Sequence, residues 1–459
     1  MKGKKIISAL QHIDPELIEE AAEATASVNK KSTFRCSTLI AACLCLVCSL
    51  SAVWLAFKLR SDPPGTQGDN VIIATGETPT DTSGAEGIPT EASPIETTAG
   101  IVETGASIEG SIESAPRIAL IKMPFYPDGD TIAWNACSRF CEDYPFAEWA
   151  YYQTQDESVE SCIDTIEQVI MEGYNILVFP VEDEYTDVIA EAVMETADMY
   201  PEGYYLVVGI SKEDMREDYE LPLNICCISF QEEVAGFMAG VAAVRMGYTN
   251  LGFLGSVEMP GTLRYGYGFV QGAEYAARLT DTKVEMKYAY ANSMYSDAEL
   301  TDDVAAWYAE GTEVIFACGT GISLSVAEAA AQAEGMIIEV KMSHSYSDTD
   351  YGYGPEITLT SVVENLDKTI YAYLESIIQE DFEFCRGQYL RIGLYTSEEP
   401  ESNFMALSEY TQFGEGFTID DYTDLIEDLI NGTIQVSDDI GSEPVTSYVT
   451  VDYLDPLKE

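Results

Sequence analysis

The chain of 459 residues is long enough for more than one hydrophobic core, and its 46% of hydrophobic residues is typical of a globular protein. A formal net charge of -56 excludes nucleic acid as a partner, because phosphate recognition requires clustered lysine and arginine. The simplest interpretation of so many carboxylates is a solvated acidic surface that repels like-charged chains.

An uncharged stretch of 22 residues, from Cys36 to Phe57, lies between Arg35 and Lys58. As a helix it would cross a bilayer core of about 30 Å, so it predicts one transmembrane helix in the plasma membrane. Basic residues on its N-terminal side predict a cytoplasmic tail at 1–35 and an extracellular C-terminal domain. We expect a short surface helix in the tail, beginning near Asp14, with a recognition segment as the alternative.

Two other interpretations of this apolar stretch stay open. The sequence Ile40-Ala41-Ala42-Cys43 resembles the lipobox of a lipoprotein, but the residues after Cys43 remain apolar up to Phe57, where a mature lipoprotein turns polar. A cleaved signal peptide has a shorter basic region than the 35 residues found here. We therefore favour an uncleaved signal anchor.

Residues 58–116 are rich in Thr, Gly, Glu, Ser and Pro and poor in aromatic residues. Such a segment cannot bury enough apolar surface to fold, so its composition predicts a disordered stalk. The stalk would hold the C-terminal domain, residues 117–459, away from the membrane.

From Arg117 onward, apolar strands and amphipathic helices alternate about ten times. This α/β alternation predicts parallel sheets, and its length predicts two Rossmann-like, doubly wound lobes that hold a ligand at the carboxyl ends of their strands. We expect lobe 1 at about 117–228 plus a later return segment, and lobe 2 at about 229–340. The predicted strands are 118–123, 176–181, 204–210, 225–230, 251–254, 283–290, 313–318, 336–340, 358–359 and 387–395, and the predicted helices are 133–144, 158–172, 185–200, about 235–246, 264–277, 297–310, 324–334, 362–379 and 420–431.

Residues able to carry out covalent chemistry are scarce. Only two histidines occur, His12 in the tail and His344, and no nucleophile elbow accompanies them. Neither a metal-spaced cluster of His and Cys nor a phosphate-binding loop is found in the sequence. Seven of the 11 cysteines lie beyond the apolar stretch, and their irregular spacing indicates buried free thiols. We therefore expect no enzymatic activity, no cofactor and no metal site.

Three consecutive stretches carry a resemblance to a known family. They are ICCISFQEEVAGFMAGVAAVRM at 225–246, NLGFLGSVEMP at 250–260 and RYGYGFVQGAEYAA at 264–277. The chain resembles the basic membrane protein family of substrate-binding proteins, whose members look like purine nucleoside receptors of transporters. Further matches run in order from about Arg117 to Val436. The resemblance implies a type I periplasmic-binding-protein fold, with two lobes, three hinge crossings and a ligand held by closure of the cleft.

The resemblance also implies positions for the ligand. Trp134 and Asn135 match an aromatic–Asn pair whose ring stacks on the base, although Trp134 would also suit a core position. Tyr295 matches a second aromatic residue in lobe 2, and Gly319 begins a glycine-rich turn after a strand. Phe179, near the carboxyl end of the strand 176–181, completes the aromatic part of the predicted site.

The polar anchors of the family are replaced. Met123 stands where the family has an acid at the end of the first strand. Lys341 replaces an acid that would bind ribose hydroxyls, and Glu364 replaces a lysine. Either Lys341 and Glu364 form a charge-swapped pair that still closes the cleft, or the site is retuned to another ligand.

Two functions fit these features. The first is a membrane-anchored solute-binding protein that captures a small, nucleoside-like ligand and delivers it to the permease of an ABC-type transporter. The second is a ligand sensor or scaffold whose site has decayed or been retuned, acting on a cytoplasmic partner through the N-terminal tail.

Overall fold

The computed structural model describes residues 115–124, 131–181, 185–215, 220–341, 355–379 and 385–458, all of which belong to one compact unit. The predicted tail, the predicted transmembrane helix at 36–57 and nearly all of the predicted stalk lie outside the described residues. Within the described ranges, no helix has the length and apolar character needed to cross a membrane.

Thirteen strands and nine α-helices are found in these ranges. The strands are β1 Arg117–Lys122, β2 Glu148–Gln153, β3 Ile176–Pro180, β4 Tyr204–Val208, β5 Ile225–Phe230, β6 Asn250–Gly255, β7 Val284–Tyr290, β8 Val314–Cys318, β9 Met336–Lys341, β10 Thr358–Glu364, β11 Gln388–Ile392, β12 Met405–Leu407 and β13 Val449–Tyr453. The helices are α1 Thr131–Asp143, α2 Val159–Met171, α3 Thr186–Met199, α4 Glu232–Arg245, α5 Pro260–Thr280, α6 Ala298–Ala309, α7 Thr320–Ala333, α8 Leu366–Ile378 and α9 Ile419–Ile430.

Several helices begin where a short polar side chain replaces a missing backbone partner. Ser158 accepts a hydrogen bond from the backbone of α2, and Asp297 does the same for α6. Thr418 and Asp421 form a reciprocal capping box at the start of α9. These caps fix the points at which the chain leaves each preceding loop and turns back along its sheet.

Lobe 1 is built on a sheet of six parallel strands in the order β11-β5-β4-β3-β1-β2. Helices α1 and α8 pack together on one face of this sheet, and α2 and α3 pack on the other. Because both faces are covered, the central strands β3 and β5 are buried along their whole length and read as continuous apolar runs.

Lobe 2 is built on a seven-stranded sheet in the order β12-β10-β9-β8-β6-β7-β13. All neighbouring strands are parallel except β12, which runs antiparallel to β10. Helices α4 and α5 cover one face, and α6 and α7 cover the other. The sheet includes three strands beyond residue 340, the predicted end of lobe 2.

The chain crosses between the lobes three times, after β5, after β10 and after β11. Backbone hydrogen bonds join the crossings, since the amide of Gln231 donates to Ile392 (2.9 Å) and that of Asn365 donates to Phe404 (2.8 Å). The side chain of Asn403 adds further bonds, accepting from the amides of Tyr395 and Thr396. The predicted two-lobed α/β architecture with parallel sheets is confirmed.

Two features differ from the predicted elements. The edge strands β2, β12 and β13 have no counterpart among the predicted strands, because they are short and half exposed or lack a regular pattern. Residues 362–364 continue β10, where the apolar pattern predicts the start of a helix; α8 begins only after Asn365. A strand covered on both faces and a buried helix are both apolar throughout, so periodicity alone does not separate them.

Candidate functional site

Loops that follow the carboxyl ends of β6, β7 and β8 meet in lobe 2, the position where open α/β sheets bind ligands. The amide of Ser256 donates to Cys318 (2.9 Å), and the amide of Ser293 donates to Ser256 (3.2 Å). Gly319 has a φ of 130°, and a Cβ there would lie 2.7 Å from the side chain of Ser256. Glycine is therefore required at the predicted turn, because any side chain would push the loops apart.

Tyr295 lies in the loop after β7, beside this turn. The Ser293 hydroxyl accepts a hydrogen bond from the Tyr295 amide (3.1 Å) and donates one to its carbonyl (2.9 Å). The loop rests on the start of α7, where a Cβ at Gly321 would lie 1.7 Å from the carbonyl oxygen of Met294. The Tyr295 side chain is 57% exposed, so a fixed backbone presents an exposed ring beside the start of α7.

Trp134 and Asn135 lie in the first turns of α1 in lobe 1, and both are exposed. The Trp134 ring is 46% exposed and meets Trp149 edge-on, with 4.5 Å between ring centroids, and Tyr151 at 5.8 Å. Trp134 is thus a partly supported surface ring, intermediate between a core residue and a free stacking platform. Sequence reasoning missed these two neighbours of Trp134, although the alternating aromatic residues of β2 could have indicated them.

Phe179 lies in the interior of lobe 1 and not at the cleft. It is 0% exposed, and its ring stacks on Tyr205 (6.4 Å between centroids) beneath α2 and α3. Met123 is also buried, and its sulfur accepts a hydrogen bond from Thr154 (3.7 Å). The predicted ligand contact at Phe179 is therefore corrected, because a central strand covered on both faces directs this side chain into the core.

Lys341 and Glu364 close β9 and β10 side by side. The strand register aligns Lys341 with Val363, so the side chains of Lys341 and Glu364 start on opposite faces of the sheet. The carboxylate of Glu364 accepts a hydrogen bond from the Tyr265 hydroxyl on α5. Burial, together with Glu364, raises the pKa of that hydroxyl well above its usual value. This register favours a retuned site over a direct charge-swapped pair.

A network of charged residues links the two lobes behind these loops. Arg264 on α5 contacts Glu213 of the loop after β4 (Nη2 to Oε2, 2.6 Å) and Glu232 at the start of α4 (Nη1 to Oε2, 3.6 Å). Arg391 on β11 contacts Glu232 (Nη2 to Oε2, 3.5 Å) and forms a closer ion pair with Glu233. Sequence reasoning missed these arginines, since their partners lie far away along the chain.

Glu232 is a buried member of this network whose carboxyl keeps its proton to an unusually high pH. Burial raises its pKa to about 8, against the opposing effects of Arg391 and Arg264. The geometry explains why burial prevails, since Arg264 lies closer to Glu213 and Arg391 lies closer to Glu233. The closer carboxylate neutralises most of the charge of each arginine, so little of that charge is left to stabilise an ionised Glu232.

We expect the substitution Glu232→Gln to flatten the pH dependence of folding stability. The folded protein holds a proton on Glu232 up to about pH 8, whereas the unfolded chain releases it near the ordinary value of 4.5. Stability from this group is thus complete below about pH 4.5 and falls by up to about 1.4 kcal/mol per pH unit as the pH rises towards 8. Melting temperatures at several pH values between these limits measure the slope. Glu220→Gln is the matched control, because Glu220 is exposed, and this variant should keep the pH dependence of the unsubstituted protein. If Glu232→Gln also keeps that pH dependence, the raised pKa of Glu232 is contradicted.

Among the described residues, no group of His, Cys, Asp and Glu is placed to hold a metal ion, and the seven cysteines are free thiols. What the geometry offers is exposed aromatic rings on both lobes, Trp134 near the start of α1 and Tyr295 in the loop after β7, and a charged network between the lobes. Such an arrangement suits reversible binding of a flat ligand.

Comparison with known proteins places the chain among transport proteins. A model of the family described as ABC transporter substrate-binding protein, PnrA-like, matches residues 130–397. Basic membrane protein B of Borrelia garinii subsp. bavariensis is 26% identical over 307 residues, which cover 64% of this chain and 84% of that protein. The resemblance to the basic membrane protein family is confirmed.

Two further relatives bear on ligand and fold. The ABC transporter nucleoside-binding protein BmpA of Lactococcus lactis subsp. cremoris is 27% identical over 136 residues, which are 29% of this chain and only 35% of that protein. An ABC transporter solute-binding protein from Conexibacter woesei has a solved structure that matches with a TM-score of 0.53 at 17% identity, over 71% of this chain and 99% of that chain. At such low identity, this structural likeness supports the fold alone.

Proposed function

The chain belongs to the PnrA-like family of ABC transporter substrate-binding proteins, and we propose that it captures a nucleoside-like ligand between its two lobes for an ABC-type permease. One observation carries this proposal: exposed aromatic rings stand on both lobes, Trp134 on lobe 1 and Tyr295 on lobe 2. Both lie in or beside loops at the carboxyl ends of strands, so closure of the cleft would bring a flat base between them.

A nucleoside is the ligand class that these features favour. Its base has two faces for aromatic stacking, and Asn135 offers a donor and an acceptor beside Trp134. The name of the Lactococcus relative points the same way. Lys341 is 9% exposed and stands in place of the family's ribose-binding acid, so contacts to the ribose differ from those that the family resemblance implies.

We also propose that an uncleaved helix at 36–57 anchors the protein in the plasma membrane with its N-terminus in the cytoplasm and its binding domain outside. The basic flank of the uncharged stretch supports this orientation. Protease added to intact cells tests this orientation, because an extracellular domain should be removed from the cell surface. A binding domain that is protected from the protease would contradict the proposed orientation.

Ligand binding should raise the melting temperature of the purified full chain, followed by intrinsic fluorescence in detergent. A nucleoside at 100 times its Kd would stabilise the folded state by about 2.7 kcal/mol. We expect a shift with guanosine, inosine or adenosine and none with free ribose or amino acids. If no nucleoside, base or sugar raises the melting temperature, the proposal is wrong and a sensor or scaffold becomes the better interpretation.

Variants sharpen this experiment. Trp134→Ala and Tyr295→Ala should each weaken nucleoside binding by about 1–3 kcal/mol, the usual contribution of one base–aromatic stack. The matched control is Phe146→Ala, since Phe146 is also an exposed aromatic residue of lobe 1 but lies beyond the end of α1. Equal losses in all three variants would show that the rings do not form the site.

A further inference from the structure

One of the ion pairs between the lobes joins α5 to a surface loop. Arg264 belongs to α5 of lobe 2, and Glu213 belongs to the loop after β4 of lobe 1. Their side chains meet at 2.6 Å (Nη2 to Oε2). Arg264 is only 3% exposed, whereas the side chain of Glu213 is half exposed. A buried guanidinium in lobe 2 therefore takes part of its neutralising charge from the opposite lobe.

A second pair in the same network lies at the pivot. Arg391 is the penultimate residue of β11, and Glu232 begins α4 immediately after the first crossing. The backbone bond from the Gln231 amide to the Ile392 carbonyl (2.9 Å) ties these two segments together. Rotation about the crossings would change the distance between Arg391 and Glu232 little, because both residues lie next to the axis.

Among the described residues, no backbone hydrogen bond ties the loop of Glu213 to lobe 2. It projects from a loop of lobe 1 that is held by its own bonds, since the Asp214 carboxylate accepts from the amide (2.8 Å) and the hydroxyl (2.5 Å) of Ser211. When the lobes open, this loop moves with lobe 1 and Arg264 moves with lobe 2. The outer pair would then separate while the inner pair at the pivot remains.

We propose that Arg264 and Glu213 form an interlobe latch, an ion pair made on closing and broken on opening, which sets the fraction of closed protein in the absence of ligand. Arg264 keeps its contact with Glu232 (Nη1 to Oε2, 3.6 Å) when the latch opens. The stored attraction is small enough for thermal opening, because Glu213 is half exposed to solvent.

The latch deepens the proposed function and rests on it, since closure matters only if the cleft holds a ligand. The apparent dissociation constant of a binding protein equals its intrinsic value divided by the fraction of competent protein. A latch that raises the closed fraction would thus raise affinity without any contact to the ligand. Arg264 and Glu213 are positioning residues in this sense and not ligand contacts.

Hydrogen–deuterium exchange of the full chain without any ligand tests the latch. We compare the unsubstituted protein with Glu213→Gln, which removes the charge but keeps the shape of the side chain. Peptides covering 211–215 in lobe 1 and 256–264 in lobe 2 should exchange about fivefold faster in the variant, the change expected for loss of a half-exposed ion pair. Peptides from the buried strands β3 and β8 should keep their exchange rates.

Glu220→Gln is the matched control, because Glu220 is an exposed carboxylate that follows the same strand. It should exchange like the unsubstituted protein. Faster exchange in both lobes of Glu213→Gln supports the latch. An unchanged rate, a change confined to 211–215, or an equal change in Glu220→Gln each overturns it. Because no ligand is present, a negative result here is separable from a failure of the nucleoside proposal.

Discussion

Replacing Arg391 with leucine should cost about 3–5 kcal/mol of folding free energy, the loss typical of removing one partner from a buried ion pair. Glu233 and Glu232 are both buried at the start of α4, and the guanidinium of Arg391 is a partner of both. Leucine would leave Glu233 without its nearest cation in a place that water does not reach.

The shifted pKa values of Arg391 and Glu233 support a large cost for Arg391→Leu. Burial disfavours the charge of Arg391, but Glu233 and Glu232 outweigh it and raise the pKa of the guanidinium. Burial raises the pKa of Glu233 too, and Arg391 opposes that rise. Without the arginine, the Glu233 carboxyl should bind protons more strongly, so the loss of stability should shrink as the pH falls towards 5.

Urea unfolding followed by far-UV circular dichroism measures the difference between Arg391→Leu and the unsubstituted protein. Arg386→Leu serves as the control, because this arginine precedes the same strand but is partly exposed and donates to the Leu223 carbonyl (3.1 Å). We expect its cost to stay below about 1 kcal/mol. Similar costs for the two variants, or a loss at position 391 that does not depend on pH, would contradict the role given to the ion pair.

This network shows where sequence reasoning ends. The pair Glu232–Glu233 is readable as two acids favourably placed at a helix N-terminus, and the structure confirms that position. Nothing in the local sequence shows that both are buried or that Arg391, 158 residues beyond Glu233, neutralises them. Contacts between distant segments depend on how the crossings bring β11 beside α4, and neither periodicity nor composition contains that information.

The candidate site was predictable to a similar degree. Central strands are continuous apolar runs, so the sheets and the strand ends that frame the cleft follow from the pattern. Tyr295 and Gly319 follow such strand ends, and the loop of Tyr295 rests on the start of the helix that follows Gly319. Its place near a strand end predicts a cleft position for Phe179, but its apolar neighbours in the strand are typical of the core position that it occupies.

Helices α4 and α5 pack with their backbones in direct contact, and we expect Gly272→Ala to cost about 3 kcal/mol of folding free energy. A Cβ at Gly272 would lie 2.0 Å from the carbonyl oxygen of Phe237, and one at Gly240 would lie 2.3 Å from that of Phe269. The obstacle is backbone and not a flexible side chain. The methyl group can therefore be accommodated only if the two helices move apart along their buried faces.

Gly261→Ala is the matched control on the same helix. A Cβ there would find its nearest neighbour, Oε1 of Glu232, at 4.0 Å, and alanine is the better helix former by about 0.5–1 kcal/mol. We expect this variant to be as stable as the unsubstituted protein or slightly more so in urea unfolding. If Gly272→Ala is as stable as Gly261→Ala, the helices do not pack as closely as the structure shows.

A shift of the two helices in Gly272→Ala would also disturb the charged network, since α4 begins with Glu232 and α5 carries Arg264. Close helix packing and the alignment of the two lobes are therefore coupled through the same pair of helices.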